Sequence, residues 1–380
     1  MKIRVGIDAR LLSEQVTGIG RYTAELTKEL VKQDGTFFLY SPKNIDVGDW
    51  KLPNVTLRAA SFKSRVGKMC WSQSYLPYWA SIDRVDVFWG ATHRLPYLLP
   101  ASVARVVTIH DLVWKHSGES MRPVSRWLEN RLMPAAVRLA DRVVADSNST
   151  AMDLKVEFPS VVSKIRTVYP GVTVFPSLAQ RPEYLVSIGV VQPYFLFVGT
   201  LEPRKNLHRL LRAYAGLDDA SRQRCKMVIA GGKGWGSFDV HSFISDVGLK
   251  DSVVVIGYVS DAELATLYEN AQFLAMPSLY EGFGLPIVEA MSYGIPVLTS
   301  QTSSMPEVAG DAGVLVDPFD EMLISAGLSS LLNNECYRNE LASRATSNAR
   351  RFSWQNAAKK MWAVFEEARY FRDSELENHC

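Results

Sequence analysis

The feature of this sequence that most constrains its fold is a regular alternation of short Val- and Ile-rich runs with amphipathic stretches of about 10 to 15 residues. Because this alternation is typical of βαβ units, it predicts parallel sheets covered by helices on both faces. In the first half, strands are predicted at Ile3–Ile7, Phe37–Tyr40, Val85–Trp89, Arg105–Ile109, Arg142–Ala145 and Lys164–Val168. Helices are predicted there at Gly20–Lys32, Arg122–Ala140 and Ser149–Glu157.

The alternation stops between Pro170 and Pro193, where four prolines occur with little periodicity, which indicates a linker between domains. It restarts with strands predicted at Tyr194–Val198, Lys226–Ala230, Val253–Ile256, Phe273–Ala275, Val297–Leu298 and Val314–Val316. Helices are predicted at Leu207–Ala215, Ala262–Asn270, Pro286–Tyr293, Met322–Leu332 and Glu335–Arg372, the last interrupted at Ser353, a plausible N-cap. The sequence therefore predicts an α/β protein with two Rossmann-like domains whose parallel sheets face an interdomain cleft.

Composition excludes several classes of protein. The 380 residues are 47% hydrophobic and 22% charged, which is ordinary for a globular protein and excludes disorder or a fibrous fold. No apolar run approaches the roughly 18 residues needed to span a bilayer, and the first residues show no signal-peptide pattern, so a cytoplasmic location is expected. The four cysteines are widely spaced and form no C-x-x-C pair, which indicates neither a zinc site nor a disulfide framework.

Charge is divided unevenly along the chain. Residues 1–180 carry 24 basic and 16 acidic residues, a net charge of +8, whereas residues 181–380 carry 18 and 24, a net charge of −6. The difference indicates that the first half faces something anionic, such as a phospholipid surface or a phosphorylated substrate; uneven drift of surface charge is the alternative. Nucleic acid is not expected, since neither a pI near 8.2 nor any recognisable module supports it.

A turn between a short strand and a helix carries the most informative signal. Residues 277–290 pass through two glycines and meet Pro286, which suits the first position of a helix. Free backbone N–H groups at residues 282–285 would then form an anion site suited to a phosphate. Glu281 and Glu289 are placed to accept hydrogen bonds from sugar hydroxyls. The alternative is a tight turn with two solvated acids.

A second segment, residues 199–206, also follows a predicted strand. It contains the adjacent cations Arg204 and Lys205. Ligands of open α/β sheets bind at the carboxyl ends of the strands, so this pair is placed to neutralise a diphosphate. The alternative is that the two cations lie on the protein surface, where they are only solvated.

Together these segments resemble the retaining glycosyltransferases of family 4, which have the glycosyltransferase-B architecture. The pattern is Glu281-x7-Glu289 preceded by Gly199-x4-Arg204-Lys205-Asn206. Further matches follow in order along nearly the whole chain, at 8–10, 18–22, 109–112, 146–149, 169–172, 230–232 and 257–261. With Gly234-Trp235 and residues 304–308, the chain is most similar to mannosyltransferases of bacterial surface-polysaccharide assembly.

The resemblance implies domain roles: acceptor binding for residues 1–180, nucleotide-sugar binding for 181–360, and a C-terminal helix and tail, 361–380, that return toward the first domain. It implies catalytic roles for Glu281, Arg204, Lys205 and His110. It implies donor contacts from Gly18, Gly20, Gly199, Gly231, Tyr258, Val259, Gly282, Phe283, Gly284, Leu285 and Glu289. Weaker acceptor contacts are implied for Arg21, Asp111 and Ser147.

The resemblance also implies more specific roles, some of which have alternatives. Glu289 would hold the ribose, and Tyr258 would lie beside the base. Many relatives have Arg where this chain has Thr200, which leaves Arg204 to supply that charge. His110 would approach the donor sugar or the acceptor, or it is a structural histidine bonded to a loop carbonyl.

The activity that the resemblance implies is transfer of mannose from GDP-mannose, with retention of configuration, to a glycan or polyprenyl-diphosphate-linked acceptor. A UDP-sugar donor, a sugar-nucleotide 2-epimerase of the same architecture and a non-catalytic partner that binds glycan or nucleotide are the alternatives. The sequence has no strict Asp-x-Asp, so we expect the cations and the helix terminus to replace a metal ion, with no cofactor. The glycines at 231–236 fit neither a P-loop nor a G-x-G-x-x-G frame, which argues against NAD.

Residues 58–80 mix cations with amphipathic aromatic residues. This composition suits a membrane interface, where aromatic rings lie at the depth of the lipid headgroups. An acceptor carried on a polyprenyl diphosphate would place the enzyme at such an interface. The alternative is an ordinary amphipathic helix whose aromatic residues enter the core.

Overall fold

The structure, a computed structural model, describes residues 2–13, 18–46, 48, 52–62, 64–118, 121–179, 181–234 and 239–377. Backbone contacts divide the chain into two compact units. Unit 1 comprises Met1–Leu112, Pro123–Gly171 and Phe352–Cys380, and unit 2 comprises Val113–Arg122 and Val172–Arg351. Lys63 of the basic and aromatic stretch, and Trp235 and Gly236 of the glycine-rich stretch, lie outside the described residues.

Unit 1 is built on a sheet of seven parallel strands. They are β1 (Ile3–Asp8), β2 (Gly35–Ser41), β3 (Val55–Ala59), β4 (Val87–Gly90), β5 (Ala104–Ile109), β6 (Arg142–Ala145) and β7 (Ile165–Thr167). Their order is β3-β2-β1-β4-β5-β6-β7. The chain thus starts at the centre, builds outward to β3, and then crosses to the other side of β1.

Helices, numbered along the whole chain, cover both faces of this sheet. Those of unit 1 are α1 (Gly18–Leu30), α2 (Arg65–Ile82), α4 (Pro123–Leu139), α5 (Asn148–Glu157) and α15 (Trp354–Glu377). The crossovers through α2, α4 and α5 run in one direction along the strand order, and the crossover through α1 runs in the other. Because such crossovers are right-handed, α2, α4 and α5 lie on one face of the sheet and α1 lies on the other.

The C-terminal helix α15 completes the core of unit 1. It packs against α1 and buries Met361 and Phe365 among the side chains of β1 and β4. Ser353 accepts a hydrogen bond from the backbone N–H of Asn356 at 3.3 Å, which confirms it as the N-cap. The return of this helix to the first domain is therefore confirmed. The helix begins at Trp354, whereas the predicted ranges assigned residues up to 360 to the second domain.

Unit 2 is built on a sheet of six parallel strands. They are β8 (Tyr194–Val198), β9 (Lys226–Ala230), β10 (Val253–Gly257), β11 (Leu274–Met276), β12 (Val297–Ser300) and β13 (Gly313–Val316). Their order is β10-β9-β8-β11-β12-β13. The strand order reverses beside β8, since β9 and β10 lie to one side of it and β11 to β13 lie to the other.

Ten helices belong to the described part of unit 2. They are α3 (Val113–His116), α6 (Arg181–Ser187), α7 (Leu207–Ala215), α8 (Asp219–Arg224), α9 (Val240–Asp246), α10 (Asp261–Asn270), α11 (Leu285–Ser292), α12 (Met305–Ala309), α13 (Glu321–Asn333) and α14 (Glu335–Ala349). Leu210, Leu211, Tyr214, Leu328 and Leu331 pack against Phe195 and Phe197 of β8 in its main core.

The two Rossmann-like domains predicted from the sequence are confirmed, and most predicted elements lie within a few residues of those observed. The predicted linker, residues 170–193, contains α6. Proline is tolerated in the first turn of a helix, so Pro182 does not prevent that helix from forming.

Residues 58–80 do not form one amphipathic helix. The first two residues end β3, and Arg58 pairs there with Asp83. In α2, Trp71 is fully buried, whereas Tyr78 is exposed. The aromatic residues of this stretch are thus divided between the core and the surface.

Candidate active site

The sequence-predicted donor residues of unit 2 follow the carboxyl ends of four adjacent strands. Gly199 follows β8, Gly231 follows β9, Tyr258 follows β10 and Glu281 follows β11. In open α/β sheets, ligands bind outside these ends where the strand order reverses. In unit 2 that point lies between β8 and β11, so the loop carrying Arg204 and the loop carrying Glu281 flank it.

At this point Glu281 joins both cations. Lys205 Nζ lies 2.6 Å from Glu281 Oε1, and Arg204 donates a hydrogen bond of 2.7 Å to Glu281 Oε2. Arg204 also pairs with Glu202 at 3.1 Å. Lys205 and Glu281 are each only 6% exposed. The structure thus makes one buried ion-pair cluster of residues that the sequence assigned to separate parts of the ligand.

The charges in this cluster stabilise one another despite their burial. Burial by itself would raise the pKa of Glu281, but Arg204 and Lys205 overcome it and lower that pKa to about 2. Burial lowers the pKa of Lys205, and Glu281 opposes this only partly. Glu281 is therefore a carboxylate at any ordinary pH. Both of its carboxylate oxygens are paired with cations, which disfavours a role for Glu281 as a nucleophile.

Asn206 holds the two loops of the cluster together. It adopts a left-handed conformation with φ of 60°, and its side-chain amide donates to the carbonyl oxygens of Pro277 (2.9 Å) and Pro318 (2.7 Å). The backbone N–H of Leu279 donates to the carbonyl oxygen of Arg204 at 2.8 Å. These bonds fix the backbones on which the charged side chains stand.

The turn at 282–285 is held by two serines. Ser303 Oγ accepts from the Glu281 N–H at 3.3 Å and donates to the Glu281 carbonyl at 2.5 Å. Ser304 Oγ lies 2.9 Å from the carbonyl oxygens of both Glu281 and Phe283 and donates its hydrogen to this pair. Gly284 precedes α11 with a φ of 98°, a conformation that favours glycine. Pro286 is the second residue of α11, not the first.

Glu289 lies in α11, 8% exposed, and its side chain is oriented by an aromatic hydroxyl. Tyr268 donates from its hydroxyl to Glu289 Oε2 at 3.0 Å. From the sequence, Tyr268 and Ser303 were missed, and Asn206 and Ser304 were included in motifs without a role of their own. Each lies 21 or more positions from its partner in sequence, so only the fold reveals these pairings.

The glycines at the ends of β8 and β9 are required by close approach. A Cβ on Gly231 would lie 1.9 Å from the carbonyl oxygen of Gly199. Gly199 has a φ of 149° and lies against the Lys205 side chain. The glycine at 231 is thus explained by packing, and its predicted donor contact remains a prediction. Tyr258 is 62% exposed and Val259 is half-buried, so this ring is available for stacking.

The predicted residues of unit 1 also follow strand ends. Gly18 and Gly20 open α1 after β1, His110 and Asp111 follow β5, and Ser147 follows β6. Ser147 is fully buried and caps α5, because its Oγ accepts from the N–H of Thr150 at 2.9 Å. This capping role accounts for Ser147 by itself. Acceptor contacts by Arg21, Asp111 and Ser147 remain predictions.

His110 is buried, and both of its ring nitrogens face acceptors. Nδ1 lies 2.5 Å from Asp146 Oδ2, and Nε2 lies 2.9 Å from the carbonyl oxygen of Ala91. Burial lowers its pKa, but Asp146 and the Ala91 carbonyl outweigh burial and raise it. His110 is therefore held as an imidazolium, with both N–H groups donating. This arrangement favours the structural histidine left open by the sequence, and a catalytic role remains a prediction.

His93 accepts a hydrogen bond from the backbone of His110. Its Nε2 accepts from the backbone N–H of His110 at 2.9 Å, so its proton is on Nδ1, which faces Glu129 at 3.3 Å. Arg94 donates to the other oxygen of Glu129 at 3.0 Å. His93 and Arg94 were not singled out from the sequence.

The described residues contain neither a candidate metal centre nor a candidate membrane-spanning helix. No group of three or more metal-ligating side chains occurs among them. No helix in the described part of the chain is both long enough and apolar enough to cross a bilayer.

Both halves of the chain match models of known families. The model for glycosyl transferases group 1 matches residues 187–352, and the model for glycosyltransferase family 4 matches residues 16–174. The O-antigen chain mannosyltransferase B of Escherichia coli is 31% identical over 370 residues, covering 90% of this chain and 93% of the relative. The serotype-specific mannosyltransferase WbdA of Escherichia coli is 30% identical over 227 residues, 58% of this chain and 28% of the relative.

Solved structures share the fold at low sequence identity. Sucrose-phosphate synthase of Thermosynechococcus elongatus superposes with a TM-score of 0.76 at 17% identity, covering 97% of this chain and 99% of that one. Anabaena HepE, in complex with UDP and glucose, gives 0.74 at 17% identity, covering 96% and 100%. The two parallel sheets and these similarities define a glycosyltransferase with two Rossmann-like domains. The chain belongs to glycosyltransferase family 4.

Proposed function

We propose that this protein transfers mannose from GDP-mannose, with retention of configuration and without a metal ion, to a lipid-linked oligosaccharide or polysaccharide. The observation that carries the proposal is the buried cluster of Arg204, Lys205 and Glu281 where the strand order of unit 2 reverses. The named activity of the O-antigen mannosyltransferase, which aligns over 90% of this chain, supports the sugar and the acceptor class.

The cluster suits departure of a nucleoside diphosphate. When the bond between the anomeric carbon and the phosphate oxygen breaks, its electron pair passes to the phosphate, and positive charge develops on the sugar ring. Arg204 and Lys205, already fixed by Glu281, would stabilise the new charge without reorganising. The backbone N–H groups at the start of α11 would add to this stabilisation. These groups would take the place of a divalent ion.

Retention requires the acceptor to attack from the side that the diphosphate leaves. In our proposal, the acceptor hydroxyl forms the new bond to the anomeric carbon and passes its proton to the departing phosphate oxygen, so no protein base is needed. The engagement of both Glu281 oxygens by cations supports this route over a covalent glycosyl-Glu281 intermediate. Glu289 would accept from ribose hydroxyls, and Tyr258 would stack on the base.

A UDP-sugar is the second candidate donor. It is favoured by the HepE structure, which holds UDP and glucose in a protein of the same fold. Thermal unfolding of the full chain with GDP, UDP, ADP and their sugars distinguishes these donors, because a tight ligand raises the melting temperature by mass action. We expect GDP and GDP-mannose to stabilise; stabilisation by UDP compounds alone would overturn the mannose assignment. Turnover of UDP-N-acetylglucosamine without an acceptor would indicate an epimerase.

Two changes test the chemistry. Lys205→Ala is expected to lower the rate of mannosyl transfer about 10²- to 10³-fold, as for other preorganised electrostatic groups. Lys250→Ala, on an exposed lysine that precedes the amino end of β10, is the matched control and should leave the rate unchanged. EDTA should leave transfer intact. Loss of transfer in EDTA that Mg²⁺ restores would refute the metal-free mechanism.

We also propose that the protein works at the inner face of the cytoplasmic membrane, since its proposed acceptor is lipid-linked. The exposed Tyr78 of α2 supports a peripheral contact through residues 58–80, whereas the burial of Trp71 restricts that contact to part of the stretch.

A further inference from the structure

The two cations of the candidate site are matched by two carboxylates. Glu281 accepts from Arg204 Nη1 at 2.7 Å and lies 2.6 Å from Lys205 Nζ. Glu202 accepts from Arg204 Nε at 3.1 Å. The formal charges of these four side chains cancel, so a diphosphate that reaches them meets a neutral cluster. The attraction of the cations for a diphosphate is strong only when one of the two acids gives way.

The two carboxylates differ in how firmly they are held. The side chain of Glu281 is 7% exposed and lies between both cations. The side chain of Glu202 is 25% exposed and pairs with Arg204 at the edge of the cluster. Separating a buried carboxylate from its cations leaves charges with neither partners nor water, whereas a partly exposed carboxylate exchanges its partner for water at little cost. Glu202 is thus the acid that a ligand can displace.

The position of the Glu202 carboxylate is not explained by the backbone around it. Glu202 precedes the short 3-10 turn Pro203–Lys205 at its N-cap position, where a side chain commonly accepts from a backbone N–H of the first turn. Among the described residues of this turn, Glu202 makes no such capping bond. Its stem lies beside the loop after β9, since a Cβ on Gly234 would be 3.1 Å from Glu202 Cγ. The carboxylate is directed instead at Arg204.

Glu202 occupies a donor of Arg204 that suits phosphate. Arginine binds phosphate most strongly when two N–H groups on one edge of the guanidinium point at two phosphate oxygens, and one of its edges includes Nε. In this structure the Nε–H group donates to Glu202. A phosphate that binds through the Nε edge must therefore take the place of Glu202, while Nη1 stays on Glu281 and keeps the guanidinium in position.

We propose that Glu202 competes with the nucleoside diphosphate for Arg204: it is displaced when the diphosphate binds and returns to Arg204 as the product leaves. The inference rests on the proposed function, because a nucleoside diphosphate is the competing ligand. Displacement of Glu202 leaves two cations and one carboxylate facing the phosphates. Its return restores the neutral cluster and favours release, a step that limits turnover in many enzymes. Glu202 is a positioning residue, since it acts through Arg204.

A purely supporting role for Glu202 predicts the opposite change in affinity. If Glu202 only held Arg204 ready for the ligand, its loss would leave the guanidinium less ordered and would weaken binding. If it competes, its loss strengthens binding, because Arg204 is still held by Glu281 and the acid no longer opposes the phosphates. The sign of the change in Kd therefore separates the two roles.

The first test is isothermal titration calorimetry of the full chain with GDP, and with UDP in parallel. Glu202→Gln, which removes the charge and keeps the size, is expected to lower the Kd about three- to tenfold. Glu269→Gln is the matched control, since Glu269 is 27% exposed and pairs with Arg181 at 2.9 Å. It lies near the amino end of β8, where Tyr194 donates to the carbonyl oxygen of Leu267, and its loss should leave the Kd nearly unchanged. Thermal unfolding checks that both variants are folded.

The second test needs no variant. In a crystal structure of the complex with GDP, we expect Arg204 Nε to donate to a phosphate oxygen, with Glu202 beyond hydrogen-bond distance of Arg204 and Nη1 still donating to Glu281. A complex in which Glu202 keeps its contact with Arg204 Nε would overturn the proposal.

The outcomes separate this inference from the proposed function. If the original chain bound neither GDP nor UDP, both would be refuted. If it bound either one and Glu202→Gln left the Kd unchanged or raised it, the competing role of Glu202 alone would be overturned. An equal fall in Kd from Glu269→Gln would show a general effect of charge and would also overturn that role.

Discussion

The candidate site depends on Glu281, because its negative charge is paired with two cations, of which Lys205 is buried and Arg204 is half-buried. Its carboxylate makes a 2.6 Å contact with Lys205 and a 2.7 Å contact with Arg204. Buried charges are tolerated only when each has a partner. The same residue therefore serves both the stability of unit 2 and the proposed handling of the diphosphate.

Glu281→Gln is expected to destabilise unit 2 by about 3–5 kcal/mol, because it leaves the buried Lys205 without a counter-charge and leaves Arg204 paired with Glu202 alone. Denaturant unfolding of the full chain measures this change. Glu321→Gln, which removes the exposed partner of Arg212, is the control and should cost at most about 1 kcal/mol. A nucleoside diphosphate should stabilise the Glu281 variant more than the original chain, since it supplies negative charge. Equal losses in the two variants would contradict the assignment.

The pH dependence of this cluster has a definite sign. The pKa of Glu281 is lowered to about 2, so its contribution to stability is present above the ordinary carboxyl value and is lost as pH falls from there toward 2.

His110 contributes in the opposite sense. Because Asp146 raises its pKa above 6.5, its contribution is present below that value and is lost as pH rises through the raised pKa. The stability difference between the original chain and His110→Gln should therefore shrink as the solution is made alkaline. NMR titration of the ring checks the protonation state directly. A ring that is neutral at pH 6 would contradict the two donated hydrogen bonds.

At the scale of elements, the ends of β8 and β9 are the tightest part of the candidate site. The strands approach so closely there that the Gly199 carbonyl occupies the space of a side chain at 231. The backbone N–H of Gly231 also donates to the Gly257 carbonyl at 2.7 Å, which ties the end of β9 to β10. These contacts keep the three strand ends in register beneath the loops that carry Arg204 and Tyr258.

Gly231→Ala is expected to destabilise unit 2 by about 1–3 kcal/mol, since the added carbon must displace backbone. Gly232→Ala is a neighbouring control: a Cβ there meets nothing within 4 Å, so the change should be small or slightly stabilising. Chemical denaturation of both variants gives the comparison. Similar behaviour of the two would show that the strand ends are not tightly packed.

The prediction of elements succeeded where apolar runs were long and bounded by turns. β6, β8, β9 and α7 have the predicted bounds. β3 was missed because its sequence, VTLRA, has too few apolar residues and only its pairing with β2 makes it a strand. The buried and exposed aromatic residues of α2 also could not be distinguished from the sequence, because burial of Trp71 depends on which side chains pack against it.

At the scale of the whole molecule, neither unit is one continuous segment. Unit 1 takes in the C-terminal helix α15, and unit 2 takes in Val113–Arg122 from within the first half. Met361 and Phe365 of α15 are fully buried in unit 1. Unit 1 therefore lacks part of its core until the end of the chain is present.

A chain that ends at Arg351 is expected to lose the unfolding transition of unit 1 and keep that of unit 2, because the truncation removes only core side chains of unit 1. Calorimetry and hydrogen exchange measure the two transitions separately. Removing only residues 378–380 is the control and should change neither. A truncated chain with both transitions intact would show that α15 is dispensable.

The sequence by itself determined the alternation of strands and helices, the two-domain class and the identities of the charged residues after β8 and β11. Those follow from local periodicity and from the known chemistry of turns. Only the tertiary structure decided that Glu281 pairs with both cations and that His110 donates from both ring nitrogens. Such pairings join residues up to 77 positions apart, and only close packing in three dimensions sets their distances and removes the water around them.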